Sequence, residues 1–401
     1  MMWTSKTRDR KISHQMLKNK TECGGFQNKL RKLMLLVAVF CECLAGVTGC
    51  SRKTIKDTLP ALAEEPEALA SKDTQETQAQ PPIVDFNCTL DQYRPLKKEY
   101  HFYFTYKVVH PWWDAVGLGL EDAVQQYEDK GIAIYYEYLA PNYASAPEQI
   151  VRLSDASMRE FDVIGVDVAD VAMVTPMINK LIKDGHKVMT FSSSDASKED
   201  GCNRIAYVGN THNQEDGAAL TEVLCERLGY CGKVAVLVGT KGAPCHEERA
   251  LGVQEVMAKY PEIEMVEIAY DDDNTEKAYE LTQEFLEKHS DLAGIVCCNM
   301  SNPVGAARAV VEAGKAGDIV IVGMDHDQEA LHYLRDGVIY ALGIQDCYSI
   351  GFDTIQVAVK IADGLLPGEA YPEKTEETTT LIYQKDAQSI LQVLYGEIIE
   401  F

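Results

Sequence analysis

The chain has 401 residues, 46% of them hydrophobic, which is enough for two core-forming domains with extensions. Its formal net charge of −24 argues against nucleic acid or an anionic membrane surface as the main partner. For such acidity, plain solubility is the ordinary reading.

The first fifty residues differ from the rest. Residues 1–32 carry nine Lys/Arg against two acids, and "LMLLVAVFCECLAGVTGC" follows. A basic stretch and then an apolar run too short for a spanning helix is the pattern of a signal peptide, here residues 1–49. Residues 50–97 are rich in Glu, Ala, Thr, Gln and Pro, as in "LAEEPEALASKDTQETQAQPP". That composition cannot bury a core and predicts a disordered tether. Asn87-Cys88-Thr89 matches a glycosylation sequon. Outside the signal segment and Cys50, eight cysteines remain: Cys88, Cys202, Cys225, Cys231, Cys245, Cys297, Cys298 and Cys347. None forms a Cys-x-x-Cys pair and no His spacing suggests zinc, so mostly free, buried thiols are expected.

From Tyr100 onward strands and helices alternate. Strand "HFYFTYKVV" leads into helix "DAVGLGLEDAVQQYEDKG", then strand "IAIYYEY", helix "PEQIVRLSDASMREF", strand "DVIGVDV", helix "MVTPMINKLIKDG" and strand "KVMTF". After "NRIAYVG" the alternation restarts and runs on through "DIVIVGM". Uninterrupted apolar strands between amphipathic helices predict parallel sheets covered on both faces. The number of units fits two doubly wound lobes better than one sheet.

Ligands of such sheets bind outside the carboxyl ends of the strands. The informative residues are therefore those just after each strand. They are His110, Trp112 and Trp113, then Asp167 and Asp170, then Ser192, Ser193 and Asp195. In the second half they are Arg249, Asp271 to Asp273, Asn299, Asp325 and Gln345. Aromatics, carboxylates, amides and an arginine make a hydrogen-bonding kit for a neutral polyhydroxylated ligand.

Other motifs carry less. "DDDNTE" lacks the sixth-position glycine and twelfth-position glutamate of a calcium loop, and "GTKGAP" lacks the Gly-Lys-Ser/Thr ending of a phosphate loop. "GLGLED" lacks the third glycine of a dinucleotide fingerprint. Cys245-His246 are sequence neighbours, which rarely have nucleophile–base geometry. No cofactor, metal or enzymatic activity is expected.

Two resemblances follow from these residues. Val47-Thr48-Gly49-Cys50 resembles a bacterial lipobox, which implies cleavage before Cys50 and lipidation of its thiol. Two acyl chains give stable anchoring where one is marginal. The stretches "VHPWWDAVGLGLEDA", "VMTFSSSDASKEDGCNRIAYVGN", "ERALGVQEV", "NMSNPVGAARAV", "IVGMDHDQEA" and "IQDCYSIG" resemble the type I periplasmic binding proteins of the ribose- and galactose-binding group. That resemblance implies α/β lobes of doubly wound parallel sheets joined by three hinge crossings, near Gly209, Ile344–Gln345 and Thr378. The lobes would comprise residues 98–208 with 346–377, and residues 209–344 with 378–401. It implies ligand binding by His110, Trp112, Trp113, Ser192, Ser193, Asp195, Arg249, Asn299, Asp325 and Gln345.

One departure stands out. The family commonly has aspartate directly after "TF", and here Ser192 takes that place with Asp195 three residues on. The implied function is extracytoplasmic capture of a monosaccharide or related polyol by a lipid-anchored monomer that hands it to ABC permease subunits. The alternative is a sensory binding protein presenting its ligand to a membrane histidine kinase. A repressor sharing this lobe pair would need a helix-turn-helix before residue 100, where the chain has a signal and an acidic tether instead.

Overall fold

The computed structural model describes residues 93–397. The signal segment, Cys50, the Asn87 sequon, Cys88 and most of the tether lie outside the described residues, as do 398–401. The first sheet contains β1 (Glu99–Thr105), β2 (Ala133–Leu139), β3 (Val163–Val166), β4 (Val188–Ser192), β5 (Tyr207–Gly209) and, from far along the chain, β11 (Lys374–Glu376). In space the order is β11-β5-β4-β3-β1-β2, with all pairings parallel. The second sheet contains β6 (Gly232–Val238), β7 (Ile263–Tyr270), β8 (Leu292–Cys297), β9 (Val320–Met324), β10 (Ile339–Gln345) and β12 (Thr379–Tyr383). Its order is β12-β10-β9-β8-β6-β7, parallel except for the antiparallel edge strand β12.

Both sheets are doubly wound, and the direction of winding reverses beside β1 in one and beside β6 in the other. A ligand crevice belongs at such reversals, at the carboxyl ends of β1 and β3 and of β6 and β8. The strands there are fully buried, as β3 and β4 show along their whole length, because helices cover both faces.

Four helices set the site directly. They are α1 (Trp112–Glu128), α4 (Asn213–Arg227), α5 (Pro244–Met257) and α7 (Ser301–Glu312). Helix α4 lies hard against α5, since a Cβ at Gly217 would stand 2.1 Å from the Arg249 carbonyl oxygen. Only glycine permits that approach, and it fixes the start of α5 relative to the sheet. The chain passes between the sheets after Gly209, after Gln345 and between Glu376 and Thr379. Backbone bonds tie these passages together: Glu377 donates to the Gly209 carbonyl at 3.0 Å, and Asp346 to that of Thr378 at 3.0 Å. Among the described residues no helix is long and apolar enough to cross a membrane. The seven described cysteines are free thiols, six of them buried and Cys231 exposed.

Candidate functional site

Strand β1 stops at Thr105, short of the run "HFYFTYKVV". The cause is local. The Lys107 backbone N–H donates to Asp167 Oδ2 at 2.9 Å rather than to a neighbouring strand. Residues 106–111 therefore leave the sheet and turn over its carboxyl edge, and α1 begins at Trp112 itself.

Both tryptophans are buried, with Trp112 6% and Trp113 3% exposed. Trp113 belongs to an aromatic cluster, 4.5 Å from Tyr106 and 6.0 Å from Phe191 between ring centroids. Trp112 stands edge-on to it at 4.6 Å and 78°. Its indole Nε1 donates to Asp325 Oδ1 of the other lobe at 3.0 Å. The pair divides its work, Trp113 packing the first lobe and Trp112 reaching across.

A cavity lies between these residues and the second lobe, lined from both sheets. From the first lobe come Lys107, Val108, His110, Trp112, Trp113 and Ser193. The second contributes His246, Arg249, Asp273, Asn299, Met300 and Asp325, and Gln345 stands at a passage between the sheets.

Arg249 is 1% exposed. Its Nη atoms donate to the Cys298 carbonyl at 3.1 Å and to Asn213 Oδ1 at 2.9 Å, and its buried Nε has no partner. Asn299 accepts from the Asn302 backbone N–H at 2.9 Å, which caps α7, and donates to Asp273 at 2.6 Å. It serves helix and pocket at once. Asp325 adopts a left-handed backbone (φ 71°) and accepts from Trp112 and, at 2.7 Å, from Gln345. It does not cap the following helix, α8 (Gln328–Arg335); Asp327 does. Asp272 and Asp273 are also left-handed (φ 56° each), and of the two Asp273 lines the pocket. Such conformations cost about 1–3 kcal/mol each and concentrate at ligand clamps. A Cβ at Gly239 would stand 2.5 Å from Asn299 Nδ2 and from the His246 ring, so the turn "GTKGAP" is glycine-bound for reasons of packing.

Two of the expected residues are placed away from the pocket lining. Asp195 does not line the pocket. Arg204, buried and nine residues on, grips its carboxylate with Nε at 2.6 Å and Nη2 at 2.5 Å, and the Thr190 hydroxyl adds a third bond at 2.5 Å. Ser192 also turns away. Its left-handed backbone (φ 93°) points Oγ at Asp167, to which it donates at 2.5 Å. The first-lobe carboxylate expected near the ligand is thus Asp167, held behind Lys107 rather than presented.

The lining residues that sequence reasoning did not name are Lys107, Val108, His246 and Met300, and Asp273 was named only within the 271–273 run. Burial works against the Lys107 ammonium, but Asp167, Cys245 and Asp273 outweigh it and raise its pKa. Burial likewise opposes a charged His246, yet Cys245 and Asp273 raise it on balance. Asp273 is lowered to about 2, with His246 and Lys107 overcoming its burial. Beside it Asp271 is pushed up to about 7 by burial and by Asp273. Burial lowers the His110 pKa, and its Nε2 stands 3.4 Å from Ser301 Oγ of the other lobe. Cys245 sits under the pocket, accepting from Ser194 Oγ at 3.1 Å. Its thiol is lowered, with His246 and Lys107 overcoming burial. Among the described residues no cluster of His, Cys, Asp and Glu has the makings of a metal site.

A cavity between two doubly wound lobes, lined by polar groups from both, defines a class of hinged two-lobe binding proteins. Residues 102–366 match the periplasmic binding protein domain, and the chain belongs to that family, whose members bind substrates rather than transform them. It is similar to the D-allose-binding periplasmic protein of Escherichia coli, 27% identical over 62% of this chain and 80% of that one. It is also similar to the ribose import binding protein of Salmonella typhimurium, 25% identical over 64% and 83% of the two chains. Among solved structures it resembles a glucose-galactose binding protein from Geobacillus stearothermophilus, at TM-score 0.66 and 25% identity over 72% of this chain and 99% of that one.

Proposed function

We propose that this is an extracytoplasmic solute-binding lipoprotein that captures a monosaccharide-like ligand between its lobes and delivers it to an ABC importer. One observation carries the reading: a single buried cavity takes an aromatic wall and a histidine from one lobe, and an arginine, an amide and two carboxylates from the other. A ligand there touches both lobes only when they are together. It favours the closed state by as much as it binds that state better. An indole face against a sugar C–H face contributes about 0.5–1.5 kcal/mol beyond area burial, by analogy with aromatic pairs. The named ligands of the relatives, allose and ribose, support the solute class. The proposed ligand contacts are His110, Trp112, Trp113, Ser193, Arg249, Asn299, Asp325 and Gln345, and Cys50 is the proposed lipid attachment point.

Thermal shift across pentoses, hexoses, polyols and nucleosides, followed by calorimetry on the hits, tests the solute. Stabilisation by peptides or nucleotides alone would end the sugar reading. Mass spectrometry of membrane-extracted protein tests the anchor. A Cys50→Ser variant is expected in the soluble extracytoplasmic fraction, and unchanged membrane retention would remove the lipid.

A further inference from the structure

Lys107 is the one lysine lining the pocket. The side chain is 8% exposed, so its ammonium has left water. Its ammonium donates to Cys245 Sγ at 3.9 Å, a sulfur-length bond, and faces Asp167 Oδ1 at 3.9 Å as an ion pair, beyond ordinary hydrogen-bond reach for a nitrogen and an oxygen. Asp167 is already engaged, through Oδ2 with the Lys107 backbone N–H and through Oδ1 with Ser192. Asp167 therefore steadies the lysine's loop without taking up the ammonium's protons.

The second cation of the pocket is in a similar condition. Arg249 bonds only neutral oxygens, and its buried Nε has no partner. The wall carboxylates, by contrast, are served. Asp273 accepts from Thr240 Oγ1 at 2.7 Å and from Asn299, and Asp325 accepts from Trp112 and Gln345 through Oδ1. Unspent hydrogen-bonding capacity in the cavity is thus mainly donor capacity on two cations, with Asp325 Oδ2 left to accept from a ligand hydroxyl. Asp167, Cys245 and Asp273 already favour the charged form of Lys107, and a charge-assisted bond to a ligand oxygen takes up the donors that remain.

We infer that the pocket selects a sugar acid, and that Lys107 is the specificity-determining residue, its ammonium taking a carboxylate oxygen of the ligand. The inference rests on the sugar-capture reading above and narrows it. Asp167 is a positioning residue, acting through the Lys107 loop.

The test is calorimetry of the full protein on matched pairs, D-galactose with D-galacturonate, D-glucose with D-gluconate, and D-ribose with D-ribonate. The uronate and aldonate arms distinguish which end of the sugar carries the acid. The acid of at least one pair is expected to bind about 10- to 100-fold tighter than its neutral partner, the range of a hydrogen bond to a charged group. Lys107→Met is expected to abolish that preference, and Lys107→Arg to restore part of it. Since Lys107→Met leaves Asp167 buried without its cation, the double variant Lys107→Met/Asp167→Asn, which removes both charges, is measured beside it. Neutral sugars binding as tightly as their acids in every pair, or an acid preference that survives in the folded double variant, overturns the inference while leaving sugar capture intact. Failure of every member of every pair to bind removes both.

Discussion

Trp112→Phe separates a ligand-capture role from a packing role. The substitution keeps a ring at the head of α1 and deletes the indole N–H that reaches Asp325 at 3.0 Å. Both ends of that bond are buried, at 6% and 3% exposure, and the acceptor is a carboxylate. A hydrogen bond to a charged group contributes about 1.5–3 kcal/mol. Asp325 keeps Gln345 at 2.7 Å, so its oxygen is not stranded and the lower half of the range applies. A loss of about 1.5–2 kcal/mol corresponds to roughly 10- to 30-fold in affinity. Because the bond joins the lobes, the loss is expected in ligand affinity, with the melting temperature of the ligand-free protein little changed. Trp113→Ala makes the contrast. Its ring packs among Tyr106, Tyr138 and Phe191, and removing such a side chain costs about 3–5 kcal/mol of stability. Calorimetry and thermal melts on both variants decide the matter. If Trp112→Phe binds as the parent does and melts as low as Trp113→Ala, the cross-lobe bond has no part in capture.

Three further outcomes are expected. Asp195→Asn is expected to leave ligand affinity within about threefold and to lower the melting temperature clearly. It breaks the buried pair with Arg204, and such breaks cost about 3–5 kcal/mol. A large affinity loss at unchanged stability would return Asp195 to the ligand. Glu377, beside the passage between the sheets, is raised to about 9 by burial, Asp353 and Asp346, and Asp353 is itself raised by burial against the pull of Lys360. The folded protein thus holds a proton that the unfolded chain releases above the usual 4.5. This contribution is full below about pH 4.5 and is lost as pH climbs toward 9. Melts at pH 6 and 8.5 should show Glu377→Gln flattening that fall, and an unchanged slope would contradict it. Finally, Cys245 lies between lobes against Ser194 and Lys107, so iodoacetamide labelling of this thiol, followed by peptide mass spectrometry, should slow about tenfold or more when a saturating ligand holds the lobes closed. Equal rates would mean that ligand does not close the site.

What could be read in the sequence follows from which constraints are periodic and which are not. A strand covered on both faces must be apolar throughout, so "DVIGVDV" and "KVMTF" announce themselves, and position after a strand then brings His110, Trp112, Arg249, Asn299, Asp325 and Gln345 to one edge. Lys107 was hidden because "TYKVV" continues a β-rich run. Its departure from the sheet is caused by Asp167, sixty residues away, capturing one backbone N–H. A lone lysine inside an apolar run at the carboxyl end of a strand was the available signal. Asp273 stood among three consecutive aspartates that residue type cannot separate, and only the folded loop shows which of them lines the cavity. Asp195 misled for the converse reason. Spacing in "TFSSSD" offers a carboxylate at a plausible distance, but Arg204 needs a counter-ion in the same lobe and is closer. The family's carboxylate position has therefore not simply moved three residues along. The first-lobe carboxylate nearest the pocket lysine is Asp167, which takes the Lys107 backbone N–H and faces its ammonium at 3.9 Å.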